Sequence, residues 1–486
     1  MPYKSWEPSF HLRSPRGWLN DPNGACQFRG EYYLYYQYNP FWPNADQKAW
    51  GLFVSPDLVH WRYEGVPIEP SIPEDRNGVY SGCTLVERGA ARDGGDRLRA
   101  YYTGNVVCPS PNHDPRDRGL TFDGREANEI TCASDDGKQF GERTVLLRNA
   151  DYPSVCTLHV RDPKVWEEDG ALHMILGARH LDHRGMCLLY DSSDGETWTF
   201  RQFIESEYPF GYMWECPNIV QLADGSEYVA FSPQGLPRLR DRWHNLCQAG
   251  YIALPGRILD TTRVDERDFV EWDHGHDFYA PQTFMDDAGR WMLVGWLGGF
   301  DGSLAYAPDG LPWCHCLTVP RVLSRDERTG GLLQAPVPEL EALRGESIEL
   351  AQGHAVVVPG RAADVVLRGI EGEGAITFDQ SLQVFFARGR LGVRYLVPEH
   401  AGGREERSVP VDALENVRVL VDGSCVEVYA NDGAVVFSSR WFADERDTLT
   451  VRCELVTREA RAWPMRDVLG QMYATAQAPD LAFPGI

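Results

Sequence analysis

A sequence pattern of the form Ser-x-Asp-(Leu or Gly)-x-x-(Trp or Phe) constrains the fold more than any other feature of this chain. It occurs three times, beginning at Ser55, Ser134 and Ser192, so the copies lie 79 and 58 residues apart. A turn followed by an aromatic residue, repeated at such intervals, is typical of propeller blades with insertions. Strand-favouring runs such as Glu31–Tyr36 dominate, and no long segment has a sustained helical period. The sequence predicts an all-β fold that contains a propeller; three unrelated turns are the alternative.

The chain is long enough for two domains, and its pattern changes after residue 325. Beyond that point, the turns Asp422-Gly423 and Asn431-Asp432-Gly433 separate short strand-like runs. Such turns favour hairpins, and hairpins with alternating faces indicate a β-sandwich. We expect a propeller over residues 1–325, a linker over 326–345 and a β-sandwich over 346–486.

The charge balance excludes several classes of partner. The formal net charge is −24, which argues against nucleic acid and against an anionic membrane surface. A neutral sugar is compatible with this charge, whereas a phosphorylated one needs a local basic pocket. No stretch is apolar enough to span a membrane, the N-terminus lacks the apolar run of a signal peptide, and the 12 cysteines form no Cys-x-x-Cys pair. We therefore expect a cytoplasmic protein with reduced thiols.

Three short motifs each place a carboxylate beside an aromatic residue, a cation or both. They are Trp18–Gly24 with Asp21, Val160–Val165 with Asp162, and Met213–Asn218 with Glu215. Hydrolysis of a glycosidic bond with retention needs two carboxyl groups roughly 5 Å apart, one ionised and one protonated. Each motif also has a structural alternative: a turn-capping Asp, a buried Arg–Asp ion pair, or a solvated Glu on an edge strand.

The three motifs together, in this order, resemble those of glycoside hydrolase family 32, which includes invertases, sucrose-6-phosphate hydrolases and fructanases. The resemblance covers nearly the whole chain. It implies a five-bladed β-propeller followed by a β-sandwich, with Asp21 as nucleophile, Asp162 as transition-state stabiliser and Glu215 as acid/base. It implies no cofactor and no metal, and no nucleotide- or phosphate-cradling motif is present.

The surroundings of the three acids in the sequence fit these roles. Proline stiffens the turn that carries Asp21. Trp214 and Cys216 flank Glu215, so partial burial is expected to raise its pKa. Asp162 follows Arg161, and an adjacent cation is expected to keep it ionised.

The resemblance also implies a set of sugar contacts around the acids. Trp18 is expected to form the pocket floor, Trp296 to wall the pocket and Tyr279 to tune the acid/base residue. Packing in the propeller core is the alternative for each aromatic side chain. The full set of expected substrate-binding residues is Trp18, Asn20, Gln37, Trp50, Tyr80, Ser81, Arg161, Tyr279 and Trp296.

Two departures from the family pattern fall where substrate preference is set. Leu52 stands where the family has histidine, and the loop 39–46 with Trp42 fits the family pattern poorly, which leaves the role of Trp42 open. By contrast, the segments Tyr102–Asn105 and Gly124–Glu129 are similar to those of bacterial sucrose-6-phosphate hydrolases.

These observations predict an enzyme that cleaves terminal β-fructofuranosyl residues from a small carbohydrate, with sucrose or sucrose 6-phosphate as substrate. An exo-fructanase or a fructosyltransferase acting on short inulin or levan oligosaccharides is the enzymatic alternative. A sugar-binding protein without catalysis and a related arabinan-type hydrolase are further alternatives. The C-terminal module offers a surface for a homodimer, which the sequence leaves open.

Overall fold

The computed structural model describes residues 4–42, 47–107, 125–299 and 311–476. Five sheets of four or five strands come first along the chain, and two six-stranded sheets follow. Within the described residues the single α-helix is short and C-terminal, and no helix has the length and apolar character needed to cross a membrane. The all-β prediction is confirmed.

The first three sheets follow the chain, each built mainly from four consecutive antiparallel strands. Their strands are β1 (Gly17–Phe28), β2 (Glu31–Asn39), β3 (Ala49–Ser55), β4 (Arg62–Tyr63), β5 (Val79–Glu87), β6 (Arg97–Val107), β7 (Arg125–Ser134), β8 (Thr144–Leu147), β9 (Cys156–Glu168), β10 (Ala171–His180), β11 (Gly185–Ser192) and β12 (Thr199–Ser206).

The fourth and fifth sheets are less regular, because some of their segments pair with neighbouring sheets. β16 extends the third sheet beside β12, and β20 extends the first sheet beside β1. The strands of this part are β13 (Met213–Gln221), β14 (Glu227–Gln234), β15 (Gly250–Ala253), β16 (Arg263–Val264), β17 (Val270–Glu271), β18 (Tyr279–Met285), β19 (Trp291–Leu297), β20 (Trp313–Cys314), β21 (Cys316–Leu317), β22 (Arg321–Arg325) and β23 (Leu332–Pro336).

The first strands of the five sheets surround a common axis. β1 contacts β5, β5 contacts β9, β9 contacts β13, β13 contacts β18, and β18 contacts β1 again. The segment 313–317 ties the ends together, since β20 pairs with β1 while β21 pairs with β19 of the fifth sheet. This is the five-bladed propeller that the family resemblance implies.

The three repeated sequence patterns occupy equivalent places in the first three blades. Ser55, Ser134 and Ser192 each end the third strand of a blade. In every copy the Asp carboxylate accepts hydrogen bonds from the backbone N–H groups two and three residues later, at 2.7–3.1 Å. The repeat therefore specifies the same turn in each blade.

The propeller extends along the chain beyond the expected boundary at residue 325. Leu332–Pro336 was expected in the linker, but it pairs with Arg321–Arg325 as the outer strand of the fifth blade. An edge strand tolerates proline because one of its sides has no hydrogen-bonding partner strand. The connection between the domains is therefore shorter, and it contains the 3-10 helix Pro338–Leu343.

The C-terminal module is a sandwich of two antiparallel sheets with its own apolar core. One sheet has the order β24-β35-β26-β31-β32-β33 and the other β25-β34-β27-β28-β29-β30. The strands are β24 (Ile348–Glu349), β25 (Ala355–Pro359), β26 (Ala362–Arg368), β27 (Gly374–Phe378), β28 (Leu382–Ala387), β29 (Arg390–Tyr395), β30 (Glu406–Pro410), β31 (Asn416–Asp422), β32 (Cys425–Ala430), β33 (Val435–Arg440), β34 (Thr448–Cys453) and β35 (Glu459–Pro464).

Both ends of the described chain cross between the two modules. The backbone N–H groups of Ser9, Phe10 and His11 donate to the carboxylate of Asp422 in the sandwich, at 2.6–2.9 Å. The C-terminal helix α1 (Gly470–Thr475) returns to the propeller side. The remaining short helices are 3-10 turns at Lys4–Trp6, Pro73–Asp75, Asn149–Asp151, Ile258–Asp260, Glu266–Asp268, Pro398–Ala401 and Asn431–Gly433.

Candidate active site

A cavity of about 880 Å³ lies where the innermost strands of the propeller begin. Each of these five strands contributes a side chain near its N-terminal end, so residues far apart in the sequence meet around the axis. Three predicted residues, Trp18, Trp50 and Trp296, do not line the cavity. The nine predicted residues that line it are Asn20, Asp21, Gln37, Tyr80, Ser81, Arg161, Asp162, Glu215 and Tyr279.

Asp21 is held by hydrogen bonds to both of its oxygens. Ser81 Oγ donates to Oδ2 at 2.5 Å, and Asn20 Nδ2 donates to Oδ1 at 2.9 Å. Trp18 Nε1 donates in turn to Asn20 Oδ1 at 2.8 Å. The register of β1 shifts between Leu19 and Pro22, so the strand is irregular at this point. Burial raises the pKa of the Asp21 carboxyl, and the hydrogen bonds from Ser81 and Asn20 oppose that rise.

Asp162 lies in the middle of β9 with a positive φ of 66°. Its own N–H donates to Thr103 Oγ1 at 2.9 Å, and Cys216 N–H donates to its Oδ2 at 2.9 Å. A non-glycine residue in this left-handed region is strained, and such strain is common at active sites. The strand thus sets this carboxylate in a conformation that regular β structure would not give it.

The expectation that Arg161 keeps Asp162 ionised is corrected by the geometry. The guanidinium lies close to both acids, but it reaches Glu215 more closely than it reaches Asp162. Its Nε lies 3.8 Å from Asp162 Oδ2, whereas its Nη2 lies 2.5 Å from Glu215 Oε1. Burial raises the pKa of Asp162 to about 7; Arg161 lowers it and the Glu215 charge adds to the rise.

Glu215 accepts hydrogen bonds on both oxygens. Arg161 donates to Oε1 from Nε at 3.0 Å and from Nη2 at 2.5 Å. Gln234 Nε2 and Tyr279 OH donate to Oε2 at 2.6 and 2.5 Å. The environment expected from its sequence neighbour Trp214 is not found, because that ring is buried and stacks on Phe231. Glu215 is instead surrounded by polar groups from three other strands.

The thiol of Cys216 lies between two of the carboxylates. Its Sγ is 3.7 Å from Asp21 Oδ2 and 3.7 Å from Asp162 Oδ2. Cys216 has a positive φ of 47°, so the backbone turns sharply directly after Glu215. These contacts bring the three predicted acids into one cluster around this residue.

The three tryptophans have supporting positions. Trp50 and Trp296 are fully buried, so the expectation that they contact the sugar is corrected. Trp50 Nε1 donates to the carbonyl oxygen of Tyr80 at 3.0 Å and thereby supports a cavity wall. Trp18 stacks edge-on against His315 and packs beside Trp42, with ring centroids 4.6 and 5.5 Å apart.

Two loop segments singled out from the sequence include residues that the structure does not describe. Pro43–Asp46 of the loop 39–46 and Gly124 of the segment 124–129 lie outside the described residues. Leu52 is fully buried in the apolar cluster that also contains Trp50, and it does not line the cavity.

Other polar residues of the cavity carry no sequence motif. Gln234 lies on β14, opposite the start of β13, so only strand pairing brings it to Glu215. Arg125 belongs to a segment that the sequence singles out for a different reason. The polar and aromatic lining residues that were not predicted are Lys48, Arg125, His159, Arg179, Tyr212 and Gln234.

No metal-binding cluster occurs in the part of the chain that the structure describes: no group of three or more His, Cys, Asp and Glu side chains is placed to hold a metal ion there. The eleven described cysteines are free thiols. The polar groups that line the cavity are carboxyl, phenol, amide, guanidinium, hydroxyl, imidazole, ammonium and thiol groups.

Family models match most of the chain. The N-terminal domain of glycosyl hydrolases family 32 matches residues 11–336, and the C-terminal domain of the same family matches residues 359–460. The first match ends at the last residue of β23, which agrees with the observed end of the fifth blade.

Curated relatives and solved structures agree with this match. The chain is 34% identical to a sucrose-6-phosphate hydrolase of Bacillus subtilis, covering 89% of this chain and 88% of the relative. It is 31% identical to a raffinose invertase of Escherichia coli, covering 91% of each. The sucrose-6-phosphate hydrolase structure from Lactobacillus gasseri superimposes with a TM-score of 0.80 at 25% identity, covering 96% of this chain and 94% of that chain.

Proposed function

Because the chain belongs to glycoside hydrolase family 32, and is thus a glycoside hydrolase, we propose that it is a β-fructofuranosidase that acts on sucrose or sucrose 6-phosphate with retention. The observation that carries this proposal is the cluster of three carboxylates from three different blades, grouped around Cys216 in one cavity. Relatives named as sucrose-6-phosphate hydrolases and a raffinose invertase support the substrate class.

Asp21 is the nucleophile in this mechanism. It attacks the anomeric carbon of the fructosyl unit, and the bond from that carbon to the bridging oxygen breaks. Ser81 and Asn20 donate to the carboxylate and hold it in one orientation, which lowers the entropic cost of attack. The product of this step is a covalent fructosyl–enzyme ester.

Glu215 is the acid/base. In the first step it gives a proton to the bridging oxygen, and in the second step its carboxylate takes a proton from water, which attacks the ester. The Glu215 charge raises the pKa of both Asp21 and Asp162, so ionisation of all three acids together is unfavourable.

Asp162 stabilises the transition state. An ionised carboxylate beside the ring attracts the positive charge that develops on an oxocarbenium-like sugar, and it also accepts hydrogen bonds from hydroxyls. The N–H of Cys216 fixes Asp162 Oδ2, and Thr103 fixes its backbone. Asp162 must be ionised for this role.

Fructose release from equal concentrations of sucrose and sucrose 6-phosphate tests the proposed function. The wild-type protein is expected to release fructose from at least one of them, and Asp21→Asn is expected to release none. Asp194→Asn, the same change in a turn of the third blade, is the matched control and should keep wild-type activity. If the wild-type protein released no fructose from either substrate, the proposal would be wrong, and fructan oligosaccharides would be assayed next.

Substrates with different leaving groups distinguish the role of Glu215 from that of Asp21. An aryl fructoside with an activated phenol needs little proton donation, so Glu215→Gln should lose far more activity on sucrose than on this compound. Asp21→Asn should lose activity on both. Equal losses for Glu215→Gln on the two substrates would remove it as the acid.

The expectations of a cytoplasmic location and of a homodimer through the sandwich belong to the same proposal. Fractionation of cells that express the protein tests the first. Light scattering coupled to size-exclusion chromatography tests the second, with a mass near 55 kDa expected for a monomer and twice that mass for the dimer.

A further inference from the structure

We propose that Arg125 and Arg179, on one side of the catalytic cavity, bind a phosphate group on the departing sugar, so that sucrose 6-phosphate is preferred over sucrose. This inference rests on the proposed function, and it names the feature of the substrate that the cavity selects. Both residues line the cavity that contains the three acids. They come from adjacent blades, Arg125 from the start of β7 and Arg179 from the end of β10.

Aromatic rings hold both guanidinium groups in place. Arg125 lies 5.5 Å from the ring centroid of Tyr80 and donates from Nη2 to its hydroxyl oxygen at 3.2 Å. Arg179 lies 5.1 Å from the ring centroid of Tyr212 and contacts His183 Nδ1 at 2.5 Å. Tyr80 and Tyr212 also line the cavity, so the rings fix the cations at its wall. Cation–π contacts orient a guanidinium without neutralising its charge.

The surroundings of His159 show that three guanidinium groups lie close to one another. The side chain is 3% exposed, and Arg161 donates from Nη1 to its Nδ1 at 2.8 Å, so in the neutral ring the proton is on Nε2. That Nε2–H is buried and has no hydrogen-bond partner among the described residues. Burial lowers the pKa of His159, and the positive charges of Arg161, Arg125 and Arg179 lower it further. The imidazole therefore stays neutral, and the guanidinium groups supply the positive charge.

Of these three arginines, Arg161 already forms an ion pair with Glu215, so its charge is compensated within the protein. Arg125 makes its hydrogen bond to the neutral Tyr80 hydroxyl. In a protein with a formal charge of −24, a phosphorylated substrate meets a repulsive overall field, and local cations must overcome it. Guanidinium groups suit this task because their planar N–H donors match phosphate oxygens in pairs.

The position of the pair identifies the part of the substrate it faces. Glu215 protonates the bridging oxygen, which leaves with the departing sugar. The departing sugar therefore lies on the Glu215 side of the scissile bond, and Asp21 lies on the other side. Arg161 contacts Glu215, and His159 precedes Arg161 by two residues on the same face of β9. Arg179 lies on the paired strand β10. The charges of Arg125 and Arg179 both lower the pKa of His159, so both arginines lie near it. The series Glu215, Arg161 and His159 thus leads from the acid toward the two arginines, where a 6-phosphate on the departing glucose would be bound.

The test is the ratio of kcat/KM for sucrose 6-phosphate to kcat/KM for sucrose. We expect Arg125→Gln and Arg179→Gln each to lower this ratio at least tenfold, mainly through a higher KM for the phosphorylated substrate. Activity on sucrose in the same preparation reports whether each variant is folded. Arg201→Gln, which removes a cation paired with Asp191 on the outer side of the third blade, is the matched control and should keep the ratio.

Inorganic phosphate gives a second readout. It should inhibit sucrose cleavage competitively in the wild-type protein and much more weakly in the Arg125→Gln, Arg179→Gln double variant. A ratio that stays at the wild-type value in both single variants would overturn this proposal while leaving the proposed function intact. Absence of fructose from both substrates with the wild-type protein would overturn the proposed function instead.

Discussion

Two clusters of buried carboxylates in this protein have opposite electrostatic character. In the catalytic cavity, Arg161 is the one arginine among the described residues that donates hydrogen bonds to any of the three acids, and it donates them to Glu215. In the network between propeller and sandwich, the carboxylates are matched by cations: Arg321 contacts Glu427 and Asp273 at 2.5 and 3.2 Å. The first arrangement leaves negative charges in conflict, whereas the second pairs them.

The pKa values follow from this difference. Burial by itself raises the pKa of Glu427, but Arg321 and His11 outweigh it and bring the pKa to about 2. For Asp162, the opposing effect of Arg161 is too weak, and burial raises the pKa to about 7. A buried carboxylate that is paired with cations stays ionised and links the structural elements that carry the pair. A buried carboxylate with too little positive charge nearby can exchange a proton near neutral pH. The balance between burial and nearby cations therefore sets the pKa of each of these two carboxyl groups.

The largest effect is expected from Asp21→Asn in the catalytic cluster. Loss of the nucleophile should lower kcat for fructose release by about 10⁴-fold or more. The change also removes a negative charge from a crowded site, so the melting temperature should stay equal to or rise above that of the wild-type protein. Steady-state kinetics and thermal unfolding measure the two quantities. A clearly lower melting temperature would mean that this cluster stabilises the fold, contrary to the comparison.

The opposite result is expected from Glu427→Gln in the interdomain network. It leaves Arg321 buried with less compensation, which costs about 3 kcal/mol of stability. The melting temperature should fall by several degrees, while kcat of the folded fraction stays near the wild-type value. Loss of activity in a variant with normal thermal stability would contradict the assignment of this network as structural.

The two clusters should also differ in pH dependence. Because Asp162 acts as an ionised group and burial raises its pKa to about 7, kcat should decline as the pH falls below about 7. His11 has its pKa raised to about 9 by Asp422 and Glu427, against the effect of burial. Its contribution to stability is complete below its ordinary pKa of 6.5 and is lost as the pH rises through about 9.

These two profiles are separable by experiment. The melting temperature measured from pH 6 to 10 should fall in the wild-type protein and fall less in His11→Gln, whereas the pH dependence of kcat reports the catalytic cluster. If the melting temperature of both proteins declined equally, His11 would not be the titrating group.

The smallest effect is expected from Glu129→Gln. This carboxyl is fully buried, contacts Thr103 Oγ1 at 3.0 Å and Tyr152 OH at 3.3 Å, and burial raises its pKa well above the ordinary value. A neutral acid and an amide have similar shape and hydrogen-bonding capacity, so kcat/KM should change by less than about threefold. A loss of two orders of magnitude would mean that Glu129 acts as an ionised group behind Asp162.

The three acids could be singled out from sequence because each lies in a short local motif on an inner strand. Gln234, His159 and Arg179 could not, since only strand pairing and blade packing bring them to the cavity. Adjacency in sequence suggested that Arg161 pairs mainly with Asp162, whereas its guanidinium donates its hydrogen bonds to Glu215 and lies 3.8 Å from Asp162 Oδ2.

The errors in the fold prediction have a similar origin. The prolines near Leu332–Pro336 suggested a linker, yet this segment is an edge strand of the fifth blade, where proline is tolerated. Trp50 and Trp296 were expected at the cavity, but both side chains are fully buried and do not line it. The repeated turns, in contrast, are short-range features, and their sequence pattern predicted their equivalent positions in three blades.

The stereochemistry of transfer tests the central claim most directly, because it depends on how Asp21 and Glu215 act together. The two carboxyl groups are expected roughly 5–5.5 Å apart, a separation that gives a covalent intermediate. Cleavage of sucrose or sucrose 6-phosphate in the presence of methanol traps this intermediate, and NMR identifies the anomer of the methyl fructofuranoside formed. We predict the β-anomer, with none from Asp21→Asn; the α-anomer as the enzymatic product would contradict a retaining mechanism and the role of Asp21 as nucleophile.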